Sequence, residues 1–229
     1  MTHDFDEDYW EGHWRQVPRD ERGRAVEPNP HLVREVGDLP PGTALEAGCG
    51  EGTEAIWLAS RGWRVTAADI SADVLARAAA RDAGPGDDPT WVRADLTTWQ
   101  PDARFDLVTT HYAHPATSQS EFYDRIAGWV APGGTLLIVG HTHVEAHTRS
   151  GHGHTAGHGH TGHEHAGHEQ AGGHRPPAEA SATAAGITAR LDPDDWEVVT
   201  AEERTRTLTA PGGRAVPLHD VVVRATRRR

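Results

Sequence analysis

The chain contains no lysine, and apart from histidine every basic side chain is arginine. A genome biased toward GC-rich codons accounts for that more simply than any function does. Cysteine is almost as scarce. Cys49 stands alone, so no intrachain disulfide can form, and no motif nearby supplies the base that a reactive thiol needs. No run approaches the roughly 18 apolar residues needed to span a bilayer. The opening MTHDFDEDYW is acidic where a signal peptide is basic. Together these absences predict a cytoplasmic protein with no membrane partner. The formal charge of −12 argues against nucleic acid as a partner. Only Arg227, Arg228 and Arg229 form a basic run, which reads as a frayed tail.

Apolar residues are few as well, at 36%, but the deficit is local. Residues 141–186 are mostly Gly, His, Ala and Thr, while the remainder has the composition of an ordinary folded domain. A chain of 229 residues suffices for one well-cored domain with little to spare. We therefore expect residues 1–27 to be an irregular segment. Residues 28–229 form the domain, interrupted at about 141–180 by a low-complexity insertion.

Along the folded part, strand and helix signals alternate. Asn29-Pro30 offers a cap and a first-turn proline for the short helix HLVREVGDL. TALEA reads as a strand, GCGEG as a glycine loop and TEAIWLASRG as a helix. WRVTAADI, TWVRADL, FDLVTTHYA and TLLIVG follow as strands two to five. Ser71 caps the helix ADVLARAAARDA, and Ser118 or Ser120 starts EFYDRIAGWV, which APGG ends. Two further strands around Pro211-Gly212-Gly213 form a hairpin, with Val198, Leu208, Val221 and Val223 turned inward. The alternation predicts an α/β, Rossmann-like, doubly wound fold with a mostly parallel seven-stranded sheet and a C-terminal antiparallel β-hairpin.

The strongest chemical signal is LEAGCGEG, Leu45 to Gly52. A strand that ends in glycines and opens a helix lets backbone N–H groups approach a ligand closely. The glycines fall as GxGxG at Gly48, Gly50 and Gly52, and Thr53 stands where a dinucleotide fingerprint needs its third glycine. Glu46 adds a carboxylate that would repel a pyrophosphate and attract a sulfonium amino acid. Asp69, at the end of the second strand, suits the two hydroxyls of a ribose. Asp95, at the end of the third, suits an adenine amino group, with Ile70 and Leu96 placed to sandwich the base. A strand-end aspartate alone often just caps the next turn. Three acids at successive strand ends of one sheet edge carry more weight.

On these residues the chain resembles the class I S-adenosylmethionine-dependent methyltransferases. EAGCGEGTEAIWLASRGWRVTAADIS is similar to the bacterial branch that includes thiopurine and tellurite-resistance methyltransferases. The resemblance implies that Glu46, Gly48 and Gly50 hold the methionine part of S-adenosylmethionine. It implies Asp69 for the ribose, Asp95 and Leu96 for the adenine, and His111 with Tyr112 for cofactor and substrate. The first loop acid is Glu where Asp is common. The family's thiol and metalloid substrates are not carried over, since no diagnostic substrate residue is matched.

Methyl transfer from a sulfonium is an in-line displacement, so alignment and desolvation are the protein's main contributions. A general base is needed only when the acceptor arrives protonated. His111, Tyr112 and His114 follow the fourth strand and are the candidates for base or substrate contact; His141 and His143 follow the fifth. Four imidazoles are thus expected around one pocket, unless some merely hydrogen-bond local backbone. Tyr9, Trp10 and Trp14 could either cover the cofactor or pack a loose N-terminus.

His141 to His174 contains eleven histidines, many as HxH or HxxH. Neutral imidazoles ligate Zn, Ni, Cu or Co, so His152, His154, His158, His160, His163 and His165 are candidate ligands for a divalent transition metal. The tract also reads as a passive expansion or a pH-responsive lid. The expected function is methyl transfer to a small-molecule nucleophile: a thiol, chalcogen, nitrogen or oxygen. The alternatives are a metal-binding protein on a methyltransferase scaffold with little turnover, and a nicotinamide oxidoreductase, which Glu46 and the glycine spacing disfavour.

Overall fold

A computed structural model describes residues 5–17, 27–81, 88–142, 181–209 and 215–229. Among them run α1 (Glu7–Gln16), α2 (Pro30–Val36), β1 (Thr43–Ala47), α3 (Thr53–Ser60), β2 (Arg64–Asp69), α4 (Ala72–Ala79) and β3 (Thr90–Arg93). These are followed by β4 (Phe105–His111), α5 (Gln119–Ala127), β5 (Val130–His141), α6 (Ala184–Thr188), β6 (Trp196–Thr209) and β7 (Ala215–Arg227). The seven strands form one sheet in the order β3-β2-β1-β4-β5-β7-β6. The β1–β5 pairings are parallel, while β7 runs antiparallel to both β5 and β6. This is the Rossmann-like sheet with a C-terminal hairpin that the alternation predicts.

Both faces of the sheet are covered. Alternate residues of the central strands enter opposite cores: Leu136 and Ile138 join Phe122 and Ile126 of α5 on one side, Leu137 and Val139 join Leu32 of α2 and Leu58 of α3 on the other. That is why TLLIVG is apolar without alternation, since a strand buried on both faces has no solvent side to mark. The caps hold as expected: Asn29 accepts from His31 N–H, Ser71 from Val74 N–H, and Ser118 and Glu121 form a capping box.

Several expectations are corrected. Residues 7–16 are helical rather than irregular: Asp6 accepts the Tyr9 N–H at 2.9 Å, and Glu7 and Asp8 lie in the first turn. The strongly polar composition hid a helix whose partly buried positions Tyr9, Trp10, His13 and Trp14 fall on one stripe. Strand β3 stops at Arg93, two residues before Asp95. Strand β5 begins at Val130, so APGG belongs to it and His141 is its last residue. Val198 is not inward but 43% exposed, beside a register shift on the edge strand, and Trp196 fills the core there instead. Val221 and Val223 are buried as expected; the side chain of Leu208 lies outside what is described. The C-terminal arginines are docked: Arg227 donates to Val130 O at 2.9 Å and Arg228 N–H to Asp195 O at 2.7 Å.

The His-rich insertion lies outside the described residues from residue 143 to 180, and with it His143 and all six candidate metal ligands. Its two ends are described, and they meet. His141 bridges Ser181, and Ala182 N–H donates to His141 O at 3.0 Å. A connection whose ends are already adjacent can be shortened at an entropic cost of only about 0.6 kcal/mol per doubling or halving. Replacing residues 150–175 by a short Gly/Ser linker should therefore move Tm by no more than a few degrees in metal-free buffer. A collapse of the thermal transition in calorimetry would show that the segment carries part of the core.

Candidate active site

The chain runs outward from β1 to β3, then returns to β4 beside β1. Such a reversal opens a crevice at the carboxyl ends of the strands. The crevice here is about 310 Å³ and is lined by Glu46, Asp69, Asp95, Ile70, Leu96 and His111, among others. The three strand-end acids are thus gathered around one space. Gly48, Gly50, Tyr112 and His114 line it too.

The glycine loop is built for close approach. Gly48 has φ +79°, and a Cβ there would collide with the Ala113 side chain; Gly52 has φ +76° and abuts Trp91. Any other residue would be strained at both positions. Gly48 and Cys49 N–H both donate to Ala68 O, and Gly50 N–H donates to an Asp69 oxygen at 2.9 Å. The other Asp69 oxygen accepts from Ser71 N–H at 3.0 Å. Burial raises the Asp69 carboxyl above its usual pKa, against the pull of those N–H groups. Asp95 accepts from the Thr97 N–H at 2.8 Å and so does cap its turn, while still lining the crevice. Cys49 is buried, and burial pushes its thiol up, which fits an inert small residue.

Glu46 and His111 form a buried pair at 2.9 Å, brought together because β1 and β4 are neighbours. Burial raises the Glu46 carboxyl. Burial also opposes charge on His111, but Glu46 outweighs it and raises the imidazole. Glu46 Oε2 and His111 Nε2 are buried without a hydrogen-bond partner among the described residues. Unpaired buried polar atoms are costly, so two of them beside a crevice fit a polar ligand group such as an amino-acid ammonium.

The remaining candidates differ among themselves. The Tyr112 hydroxyl donates to Asp220 at 2.8 Å and accepts from Arg206 at 3.0 Å, with its pKa pushed up to about 12 by burial. Already committed as a donor, it is poorly suited to serve as a base. Asp220 is fully buried and also meets His31 at 3.0 Å and Arg206 at 2.7 Å. This network holds Tyr112 at φ +54°, a conformation that costs a non-glycine residue about 1–3 kcal/mol. His114 is different. Burial and the neighbouring His141 lower it to about 4, so it is neutral at neutral pH. His141 stacks behind it at 5.5 Å. Of the four imidazoles expected around the pocket, His111 and His114 line it and His141 stands second.

Helix α1 closes one side. Trp10 donates to His114 O at 3.2 Å, Glu11 accepts the Ala72 N–H at 2.7 Å, and Phe5, Trp10 and Trp14 line the crevice. Tyr9 does not. The sequence reading missed Phe5, Glu51, Glu54, Phe122 and the Asp220 network. Glu54 was the most accessible of these, since it sits in the first turn of the helix that the glycine loop opens.

Comparison with known proteins agrees with this geometry. Residues 44–134 match the methyltransferase domain family. An uncharacterized methyltransferase of Mycobacterium tuberculosis is 41% identical over 117 residues, covering 49% of this chain and 57% of that one. Thiocyanate methyltransferase 1 of Arabidopsis thaliana is 37% identical over 106 residues, covering 43% of this chain and 44% of its own. The chain therefore spans about half the length of these relatives. The structure of TehB from Haemophilus influenzae superposes with a TM-score of 0.63 at 14% identity, covering 97% of this chain and 67% of that one, which supports the fold. Over residues 44–134 the chain is similar to the S-adenosylmethionine-dependent methyltransferases, and its sheet order agrees with the class I fold. The cofactor of the family is S-adenosylmethionine, and the glycine cradle and unpaired Glu46 and His111 atoms are compatible with it. Among the described residues no cluster of three metal-ligating side chains occurs, and no helix is long and apolar enough to cross a membrane.

The depressed His114 has a consequence for stability. Above pH 6.5 it is neutral folded or unfolded; as pH falls toward 4 the unfolded chain takes up the proton first, so stability is lost across that window. Tm of the wild type should fall between pH 6.5 and 4, and fall less in His114→Gln. Equal slopes in both proteins would mean the imidazole is charged in the fold.

Proposed function

We propose that this methyltransferase transfers a methyl group from S-adenosylmethionine to a small protic nucleophile, with thiols the first class to test. The observation that carries this reading is the convergence of Glu46, Asp69, Asp95, His111 and His114 on one crevice. A volume of about 310 Å³ is at the low end of small-molecule sites. The relative named for thiocyanate favours sulfur as the attacking atom, though thiocyanate is itself an anion and not a protic nucleophile.

The cofactor supplies an activated methyl on a sulfonium. Glu46, with its Oε2 unpaired among the described residues, would receive the ammonium of its amino-acid part. Asp69, fixed by Gly50 and Ser71, would accept from the ribose, and Asp95 from the adenine amino group, with Ile70 and Leu96 as the apolar residues for the base. His114 is neutral and accepts a hydrogen bond from the acceptor, whose proton leaves to bulk solvent; α1 shields the site with Phe5, Trp10 and Trp14. Tyr112 holds the strand end in place through Asp220.

The test is turnover with S-adenosylmethionine and a panel of small thiols, following S-adenosylhomocysteine and methylated product by mass spectrometry. His114→Ala should lower kcat at least about tenfold while the affinity for S-adenosylhomocysteine, read by calorimetry, changes little. Equal losses in both would make His114 a cofactor contact. Asp69→Ala should abolish that affinity and lower Tm as well, because two N–H groups lose their acceptor at about 1.5–3 kcal/mol each. Unchanged affinity would refute its ribose role.

A further inference from the structure

The crevice is one-sided in charge. Five carboxylates line it, from Glu46, Glu51, Glu54, Asp69 and Asp95, and among the described residues no arginine does. Of the guanidiniums that come near, Arg77 stands 3.6 Å from Glu51 and offsets that one carboxylate, while Arg206 is held by Asp220 at 2.7 Å outside the crevice. His111 faces Glu46. Glu54 has no such cation. Its Oε1 accepts the Asn29 N–H at 3.1 Å, and it lines the crevice together with Glu46, Cys49 and His111.

An anion entering this space would lose its water, find no guanidinium among the described lining residues and meet carboxylates, of which Glu54, Asp69 and Asp95 have no cation paired to them. A neutral or cationic molecule meets no such barrier. On the acceptor side stand the aromatic rings of Phe5 and Trp10, together with His114. They offer apolar surface and an uncharged imidazole. Resting on the methyl-transfer reading above, we propose that the site selects uncharged or cationic acceptors against anionic ones, with Glu54 as the residue that sets the selection. The feature is not needed for chemistry on a sulfonium. It decides which nucleophiles reach it, by like-charge repulsion rather than by shape.

Three thiols of similar size test this: 2-mercaptoethanol (neutral), cysteamine (cationic) and mercaptoacetate (anionic). Their kcat/KM values are measured at saturating S-adenosylmethionine in wild type and in Glu54→Gln, which keeps the acceptor oxygen for Asn29. We expect 2-mercaptoethanol to exceed mercaptoacetate by on the order of tenfold in low salt, the scale of one partly screened charge. Glu54→Gln should narrow that ratio by about threefold or more; comparing ratios between the two proteins cancels the intrinsic reactivities of the thiols. Mercaptoacetate equal to or better than 2-mercaptoethanol overturns the proposal, and an unchanged ratio in Glu54→Gln overturns the part given to that residue. Calorimetry with S-adenosylhomocysteine separates the levels. Binding without turnover of any of the three overturns the acceptor proposal, whereas no binding overturns the methyl-transfer reading beneath it.

Discussion

A single carboxylate at the tip of β2 organises the site. Asp69 accepts the Gly50 N–H with one oxygen and the Ser71 N–H with the other, tying the loop after β1 to the start of α4. The loop can follow that path only because Gly48, Gly50 and Gly52 all take positive φ. Once it does, the backbone clears a space at the sheet edge, and side chains from β1, β2 and β4 and the turn after β3 face into it. The carboxylate fixes the loop and borders the crevice, so shape and charge there are not independent.

A second anchor lies on the far side. Asp220, on the antiparallel β7, gathers His31 before the sheet, Tyr112 at the end of β4 and Arg206 from β6. The parallel half supplies the loop and the acids, and the hairpin holds the strand end from which His111 and His114 project. The C-terminal pair of strands is thereby coupled to the site without lining it.

How legible all this was depends on sequence distance. Strand-helix alternation, the caps at Asn29, Ser71 and Ser118, and the acids at strand ends are local patterns, and the fold and the acidic rim could be read from them. The charge pairing could not. Glu46 and His111 lie 65 residues apart, Tyr112 and Asp220 108, and His31 and Asp220 189. Nothing local to any of them announces a partner. Helix α1 was missed for another reason: its stability comes from contacts with α4 and the His114 turn, and its own composition reads as polar coil. The position of Val198 was misjudged because alternation assumes an unbroken ladder, and β6 shifts register beside it.

The central claim is that strand-end carboxylates and a glycine bend together hold an adenosyl amino acid. The most direct measurement is a crystal structure with S-adenosylhomocysteine bound. The account predicts ribose oxygens within about 3 Å of Asp69, the adenine beside Asp95 and Leu96, and the sulfur directed toward the His111–His114 turn. A ligand seated elsewhere, or one in this crevice that touches none of Glu46, Asp69 and Asp95, would contradict it.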